Sequence, residues 1–210
     1  MTAINYKKSI YWMILWSLCF SSVMTFAKKI DPEISGATLI FFRLLIGLIF
    51  AMPLFASQGM RSVIKTNFMA THILRAIIVA CSMGCTYYAY RNLPLAEAAS
   101  IGQTGPLFTN LLAVIILSEK MTLPKWLAMA VGYVGVLFIV KPGQADFNIA
   151  LLSALAANLF AGIAIIMAKK LSSTDNSQTI LFYGTAGTLV LTSIQALFSW
   201  QMPSNVDFIY

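Results

Sequence analysis

A chain of 210 residues that is 59% hydrophobic and only 10% charged cannot cover a water-facing surface, for which a soluble domain uses about a quarter of its residues as charges. Its net charge is +7. Yet Lys and Arg stand singly or in pairs between long apolar runs, which argues against the clustered basic face of a nucleic-acid binder and is how charge flanks membrane helices. Three cysteines, all inside apolar runs, and a single histidine argue against a disulfide framework and a zinc site.

A helix needs about 20 mostly apolar residues to cross the hydrocarbon core, and seven runs qualify. The first, Ile10–Ala27, follows Lys7 and Lys8 as a signal peptide would. It is longer than a signal core, and Thr25-Phe26-Ala27 is a poor cleavage site, so it reads as a retained helix. Trp16 and Ser17 sit in its middle, where an indole N–H needs a partner or water. The second run, Ile34–Ala56, holds Arg43. That charge either snorkels and pairs with backbone carbonyls or serves as a fixed cation for a substrate carboxylate. The third, Ile73–Tyr90, carries Ser82, Thr86, Tyr87, Tyr88 and Tyr90. Cys81 and Cys85 share one of its faces as small packing residues. Tyr87 and Tyr88 are either interfacial belt or ligand contacts.

The fourth run, Leu95–Leu117, is the most informative. Ser100, Gln103, Thr104 and Asn110 fall within an arc of about 120° at helical spacing. Such a stripe faces a cavity or another helix rather than lipid. Gly102, Gly105 and Pro106 lie among them. Pro106 cannot donate to the carbonyl of Gly102, so a kink with a free carbonyl is expected, which membrane depth tolerates against protein or a wet cavity. Glu119 closes the run beside Lys120, as a solvated pair or a gate. The fifth run, Trp126–Val140, is short but anchored by Trp126 and Lys141. The sixth, Ile149–Ala168, buries Asn158 beside Ala161 and Gly162. The seventh is Ile180–Trp200. The runs are continuously apolar rather than alternating, which excludes a β-barrel. The expected fold is an all-α polytopic membrane bundle of about seven spans. With the N-terminus cytoplasmic, Lys and Arg divide nine inside to four outside, which predicts that orientation.

Ala27-Lys28-Lys29 recurs as Ala168-Lys169-Lys170, an offset of 168 − 27 = 141. At the same offset Thr38-Leu39-Ile40-Phe41-Phe42 meets Thr179-Ile180-Leu181-Phe182-Tyr183. Five spans per repeat reverse the second copy in the membrane, an architecture of secondary transporters with the substrate site between the halves. Residues 1–141 then form one repeat, and residues 142–210 the first two helices of an inverted second. The expectation is a second repeat that stops early, with a second copy of the chain as a candidate partner.

The run Leu93-Pro94-Leu95-Ala96-Glu97-Ala98-Ala99-Ser100, followed by Gly105-Pro106-Leu107-Phe108, Leu117-Ser118-Glu119-Lys120-Met121-Thr122, Trp126-Leu127 and Gly132–Gly135, resembles the EamA-type members of the drug/metabolite transporter superfamily. Arg43 within Phe41-Phe42-Arg43-Leu44 matches as well. The segment Lys141–Asn148 and the tail Pro203-Ser204-Asn205 are similar to S-adenosylmethionine uptake transporters of intracellular bacteria. The resemblance implies ten spans in a full member and a cavity lined by spans one, three, four and six. It thereby favours Trp16, Ser17, Tyr87, Tyr88, Ser100, Gln103, Thr104, Asn110 and Asn158 as substrate contacts, with Arg43, Gly102, Gly105, Pro106 and Glu119 as gating or structural residues. The expected function is secondary transport of a small polar metabolite, such as an amino acid, an amine or an S-adenosylmethionine-like compound, across a bacterial inner membrane. The alternative is a transport-inactive membrane fragment or structural partner. An intramembrane hydrolase needs a Ser–His pair, two Asp or a metal cluster. The sequence offers no such set and no Gly-x-Ser-x-Gly, and it calls for no cofactor.

Overall fold

The computed structural model describes residues 6–29, 34–140 and 148–198. Among them it contains nine helices: α1 (Tyr6–Lys29), α2 (Gly36–Gln58), α3 (Met60–Ile64), α4 (Met69–Asn92), α5 (Leu95–Gly102), α6 (Gly105–Leu117), α7 (Leu123–Val140), α8 (Ile149–Leu171) and α9 (Ser177–Phe198). The Lys141–Phe147 part of the loop motif, Trp200 and the tail Pro203-Ser204-Asn205 lie outside the described residues, as does the side chain of Trp16.

Local chemistry sets the helix ends. Ser35 caps α2, its hydroxyl accepting from the Thr38 N–H at 3.2 Å, and Asn148 caps α8 by accepting from the Ala150 N–H at 2.9 Å. Each side chain takes up a backbone donor of the first turn, as N-caps do; the Thr38 N–H is shared with the Ser35 carbonyl at 3.1 Å. Gly59, at φ 83°, ends α2 and turns the chain into α3, a backbone conformation open to glycine. Ser118 ends α6 in the left-handed region at φ 53°.

Five segments are long and apolar enough to cross a membrane: α2, α4, α5 and α6 taken together, α8 and α9. The chain is a multi-pass membrane protein. The count of about seven therefore reduces to five on length and hydropathy among the described residues. The other two expected spans coincide with α1, whose apolar stretch Ile10–Phe26 is shorter, and with α7. Large apolar side chains face outward along these helices, Phe50 at 81% and Phe138 at 76% exposed, a patterning that lipid and not water accommodates.

The interior is built on small residues. Ala150, Ala154, Ala157 and Ala164 are buried along one side of α8, where α4 packs most extensively. Small side chains let backbones approach closely. The approach is close enough for Ser82 to donate to the carbonyl of Ala157 at 2.8 Å and for Ser153 to donate to that of Cys85 at 3.0 Å. The core joins Met24 of α1, Ile40 and Leu44 of α2, Tyr87 and Tyr90 of α4, Ile101 of α5, and Ala150 and Ala154 of α8. Helix α9 packs on α2 and α4. Helices α2 and α9 open at Gly36 and Ser177, again 141 apart (177 − 36).

Contacts between the helix ends sort the loops into two sets. On one side the Arg91 guanidinium donates to the carbonyl of Ile34. On the other, Thr66 meets Asp175, Tyr183 meets Ile64 and Glu119 meets Lys169. The same alternation follows from threading the runs back and forth across a bilayer.

Candidate functional site

The fourth run is not one kinked helix. It is broken into α5 and α6, with Gln103 and Thr104 in a turn between them. Pro106 sits in the first turn of α6, where a residue without an N–H costs nothing. The carbonyl captured at the break is that of Ile101, one residue before the position argued from Pro106. It accepts from the Thr104 N–H at 2.9 Å and from the side-chain amide of Asn158 at 2.9 Å. The same Asn158 nitrogen lies 2.9 Å from the Thr104 hydroxyl. One amide on α8 thus holds the broken backbone and fixes the one buried side chain of the turn. Gly105 is the residue that leaves room for it, since a Cβ there would stand 3.3 Å from the Asn158 carbonyl oxygen. Irregular backbone at membrane depth is tolerated where protein or a wet cavity satisfies it.

Of the expected contacts, the structure joins Thr104 and Asn158 directly. Thr104 is 2% exposed, so it supports the break and does not face an open path. Gln103, Asn110 and Ser100 are exposed, and Ser100 donates to its own helix at Ala96. Tyr87 is buried in the core and Tyr88 is 46% exposed, so the two point different ways. The Tyr90 hydroxyl lies 3.5 Å from where a Cβ on Gly102 would stand. Ser17 and Arg43 are exposed, as is Pro106. Glu119 pairs with Lys169 across the α6–α8 ends, both side chains being well exposed. The expected Glu119–Lys120 neighbour pair is corrected accordingly. Adjacency in sequence suggests it, but the packing of α6 on α8 brings Lys169 to the Glu119 carboxylate instead.

Sequence reasoning missed a second polar cluster. His72, fully buried, places Nε2 2.7 Å from Oδ2 of Asp175, which is 7% exposed. The Thr66 hydroxyl donates to that same oxygen at 2.7 Å. The ring of Tyr183 lies against the imidazole at 4.8 Å between centroids. Arg75, one turn further along α4, is one of the nine basic residues assigned to the inside and also falls within the third run. It lies within the helix, half-buried, donating from Nε to the Ala164 carbonyl at 3.3 Å and from Nη1 to the Ile180 carbonyl at 3.0 Å. Arg43 of α2 and Arg75 of α4 are thus both charges within candidate spans. The signal available was the spacing His72-x-x-Arg75, which puts both on one face of α4. Among the described residues no group of His, Cys, Asp and Glu could hold a metal ion.

A family model described as the EamA-like transporter family matches residues 7–141. The chain is similar to the S-adenosylmethionine uptake transporter of Rickettsia prowazekii, 28% identical over 204 residues that cover 97% of this chain and 69% of that one. It is similar to the riboflavin transporter of Vibrio cholerae, 27% identical over 197 residues covering 92% and 66%. It is also similar to the pseudopaline exporter CntI of Pseudomonas aeruginosa, 26% identical over 186 residues covering 88% and 65%. The chain spans about two thirds of the length of these relatives.

Proposed function

Because this chain belongs to the EamA-like transporter family, we propose that it acts as a secondary transporter of a small polar metabolite across a bacterial inner membrane. The observation that carries the reading is the broken fourth span, its carbonyl held by Asn158 of α8. Broken helices meeting near the midplane are where inverted-repeat transporters build their substrate sites. In this reading Gln103 within the break and Asn110 on α6, both exposed, offer amide donors and acceptors to the solute. Ser17, Tyr88 and Ser100 complete the polar lining. Asn158 and Thr104 hold the backbone in place, and Gly102, Gly105 and Pro106 permit the break.

The architecture proposed is seven spans with a cytoplasmic N-terminus, residues 1–141 forming one repeat and residues 142–210 the start of an inverted second. The shared offset of 141 residues between helix starts and the packing of α2 on α9 support it. The relatives' names include both uptake and export, so the direction of transport is left open.

The test is flux in proteoliposomes, using labelled S-adenosylmethionine and riboflavin as probes. Saturable flux of a probe, lost in the Gln103→Leu/Asn110→Leu double variant at unchanged thermal stability, is the expected result. Normal flux by the double variant would make the stripe a packing feature.

A further inference from the structure

We propose that Arg75 is an anion-binding station on the transport path, which takes the carboxylate or phosphate group of the solute on the bundle-facing side of α4, between α8 and α9. The proposal deepens the transporter reading and rests on it for the molecule that carries the anion.

The position of Arg75 on its helix sets where the guanidinium goes. Ile73 and Ile77, two positions before and after it, are both exposed. At helical spacing they lie about 160° around α4 from Arg75. Ser82, seven positions on and so on the same face as Arg75, donates to the Ala157 carbonyl of α8. The guanidinium therefore leaves α4 on the side away from lipid. There its Nε donates to the Ala164 carbonyl of α8 at 3.3 Å and its Nη1 to the Ile180 carbonyl of α9 at 3.0 Å. Gly184 makes the room, since a Cβ there would stand 2.7 Å from Nη1 and 3.4 Å from Nη2.

The protein answers the hydrogen bonding of this group but not its charge. A guanidinium carries five N–H donors and stays cationic in proteins. Two of the five are engaged, both by neutral carbonyls. Among the described residues the ion pairs are His72–Asp175 and Glu119–Lys169, so no carboxylate is set against Arg75. Nη2 makes no hydrogen bond among these residues, and it is not sealed in. The buried side-chain nitrogens and oxygens without a partner there belong to His72, Tyr133 and Gln178. Charge inside a span is costly and marks a substrate or ion pathway. A carboxylate or phosphate supplies both the opposite charge and the paired oxygens that a guanidinium's parallel N–H groups bind.

Arg43, the other charge within a span, has a different setting. It is exposed on α2, and so is Phe50, seven positions on along the same face. Asp175, in the turn between α8 and α9, is engaged by His72 and Thr66. A phospholipid headgroup offers the same phosphate chemistry, but lipid reaches α4 on the side of Ile73 and Ile77. Ala164 lies six residues along α8 from Asn158, about 9 Å. The station is therefore separate from the break in the fourth span and nearer the α8–α9 turn.

The chain has four arginines, Arg43, Arg61, Arg75 and Arg91, so guanidinium nitrogen NMR of arginine-labelled protein can follow each one, with Arg75→Lys assigning the resonance. The full chain in phosphatidylcholine nanodiscs is titrated with sodium acetate and with inorganic phosphate, against sodium chloride at matched ionic strength. We expect a saturable shift of the Arg75 resonance with acetate and with phosphate that chloride does not reproduce. Gly184→Ala crowds the flexible end of Arg75 and should weaken the binding of both anions about tenfold, the scale of one charge-assisted hydrogen bond. An Arg75 resonance that responds to neither anion, or no more than to chloride, overturns the site. So does unchanged anion binding in Gly184→Ala. If that variant fails to fold, the titration of the native chain decides alone. The source of the anion is tested in two further arms. In phosphatidylglycerol nanodiscs the Arg75 resonance should stand where it does in phosphatidylcholine, and a shift before any anion is added would assign the site to lipid and overturn its place on the path. S-adenosylmethionine should shift Arg75 and bind about tenfold or more tighter than its decarboxylated form, and equal binding of the two overturns the solute's carboxylate as the ligand. If neither binds, acetate and phosphate decide. None of these readouts needs flux. Anion binding at Arg75 in a chain that moves no solute would count against transport and leave the anion site standing, whereas flux with no anion response at Arg75 would do the reverse.

Discussion

Replacing Asn158 by Leu tests whether the break in the fourth span is held from α8. Leu keeps the bulk of the side chain and removes the amide. Two contacts go, each 2.9 Å long, to the Ile101 carbonyl and the Thr104 hydroxyl. The carbonyl keeps its second donor, the Thr104 N–H, so it is not stranded. The Thr104 hydroxyl, 2% exposed, loses its partner on α8. Leaving a buried polar group unpaired costs about 1–3 kcal/mol, whereas measured couplings between membrane helices average about 0.6 kcal/mol and reach about 1.7 kcal/mol. The expected loss is about 1–2 kcal/mol of unfolding free energy, read by denaturing-detergent titration in mixed micelles. The informative quantity is the double-mutant cycle with Thr104→Val, expected to show a coupling of about 0.5–1.5 kcal/mol. A coupling indistinguishable from zero, or an unfolding free energy that does not change in Asn158→Leu, would show that α8 does not hold the break.

Gly187→Ala should destabilise by about 1–3 kcal/mol, because its Cβ would stand 2.8 Å from the Cβ of Ala76 and force α9 away from α4. Gly47→Ala in α2 meets nothing within 4 Å and should be neutral or gain up to about 1 kcal/mol from helix propensity. Equal effects at the two sites in the same titration would contradict the packing described. Cysteines placed at Ser62 and Thr174 should both be protected from an outside-only thiol reagent in intact cells. Reaction of both would invert the orientation, and reaction of one alone would break the alternation of loops.

The membrane character of the chain was plain in its sequence, since long apolar runs with flanking charge have few other physical solutions. The helix pair α8–α9 was legible for the same reason, whereas Asn158, singled out there as a substrate contact, is tied to the break between α5 and α6. The break between α5 and α6 was visible in part. Pro106 and two glycines marked a defect, but its form depended on Asn158, which lies more than fifty residues away and reaches the Ile101 carbonyl. The His72–Asp175 pair was not legible. His72 stands at the edge of one apolar run and Asp175 in the loop after another, and only the packing of α4 on α8 and α9 brings them to 2.7 Å. Arg75 stands within the third run, but nothing in that run points to its carbonyl partners, which are on two other helices.

The central claim is that a water-accessible path runs past the break in the fourth span, and thiol labelling tests it without knowledge of the substrate. In a background with Cys19, Cys81 and Cys85 replaced, single cysteines at Gln103 and at Phe50 are compared in membranes with a charged, water-soluble maleimide. Both positions are exposed on the protein, but only Gln103 is taken to face water, while Phe50 faces lipid. The account predicts rapid labelling of Gln103→Cys and protection of Phe50→Cys. Protection of Gln103→Cys to the same degree as Phe50→Cys would contradict it.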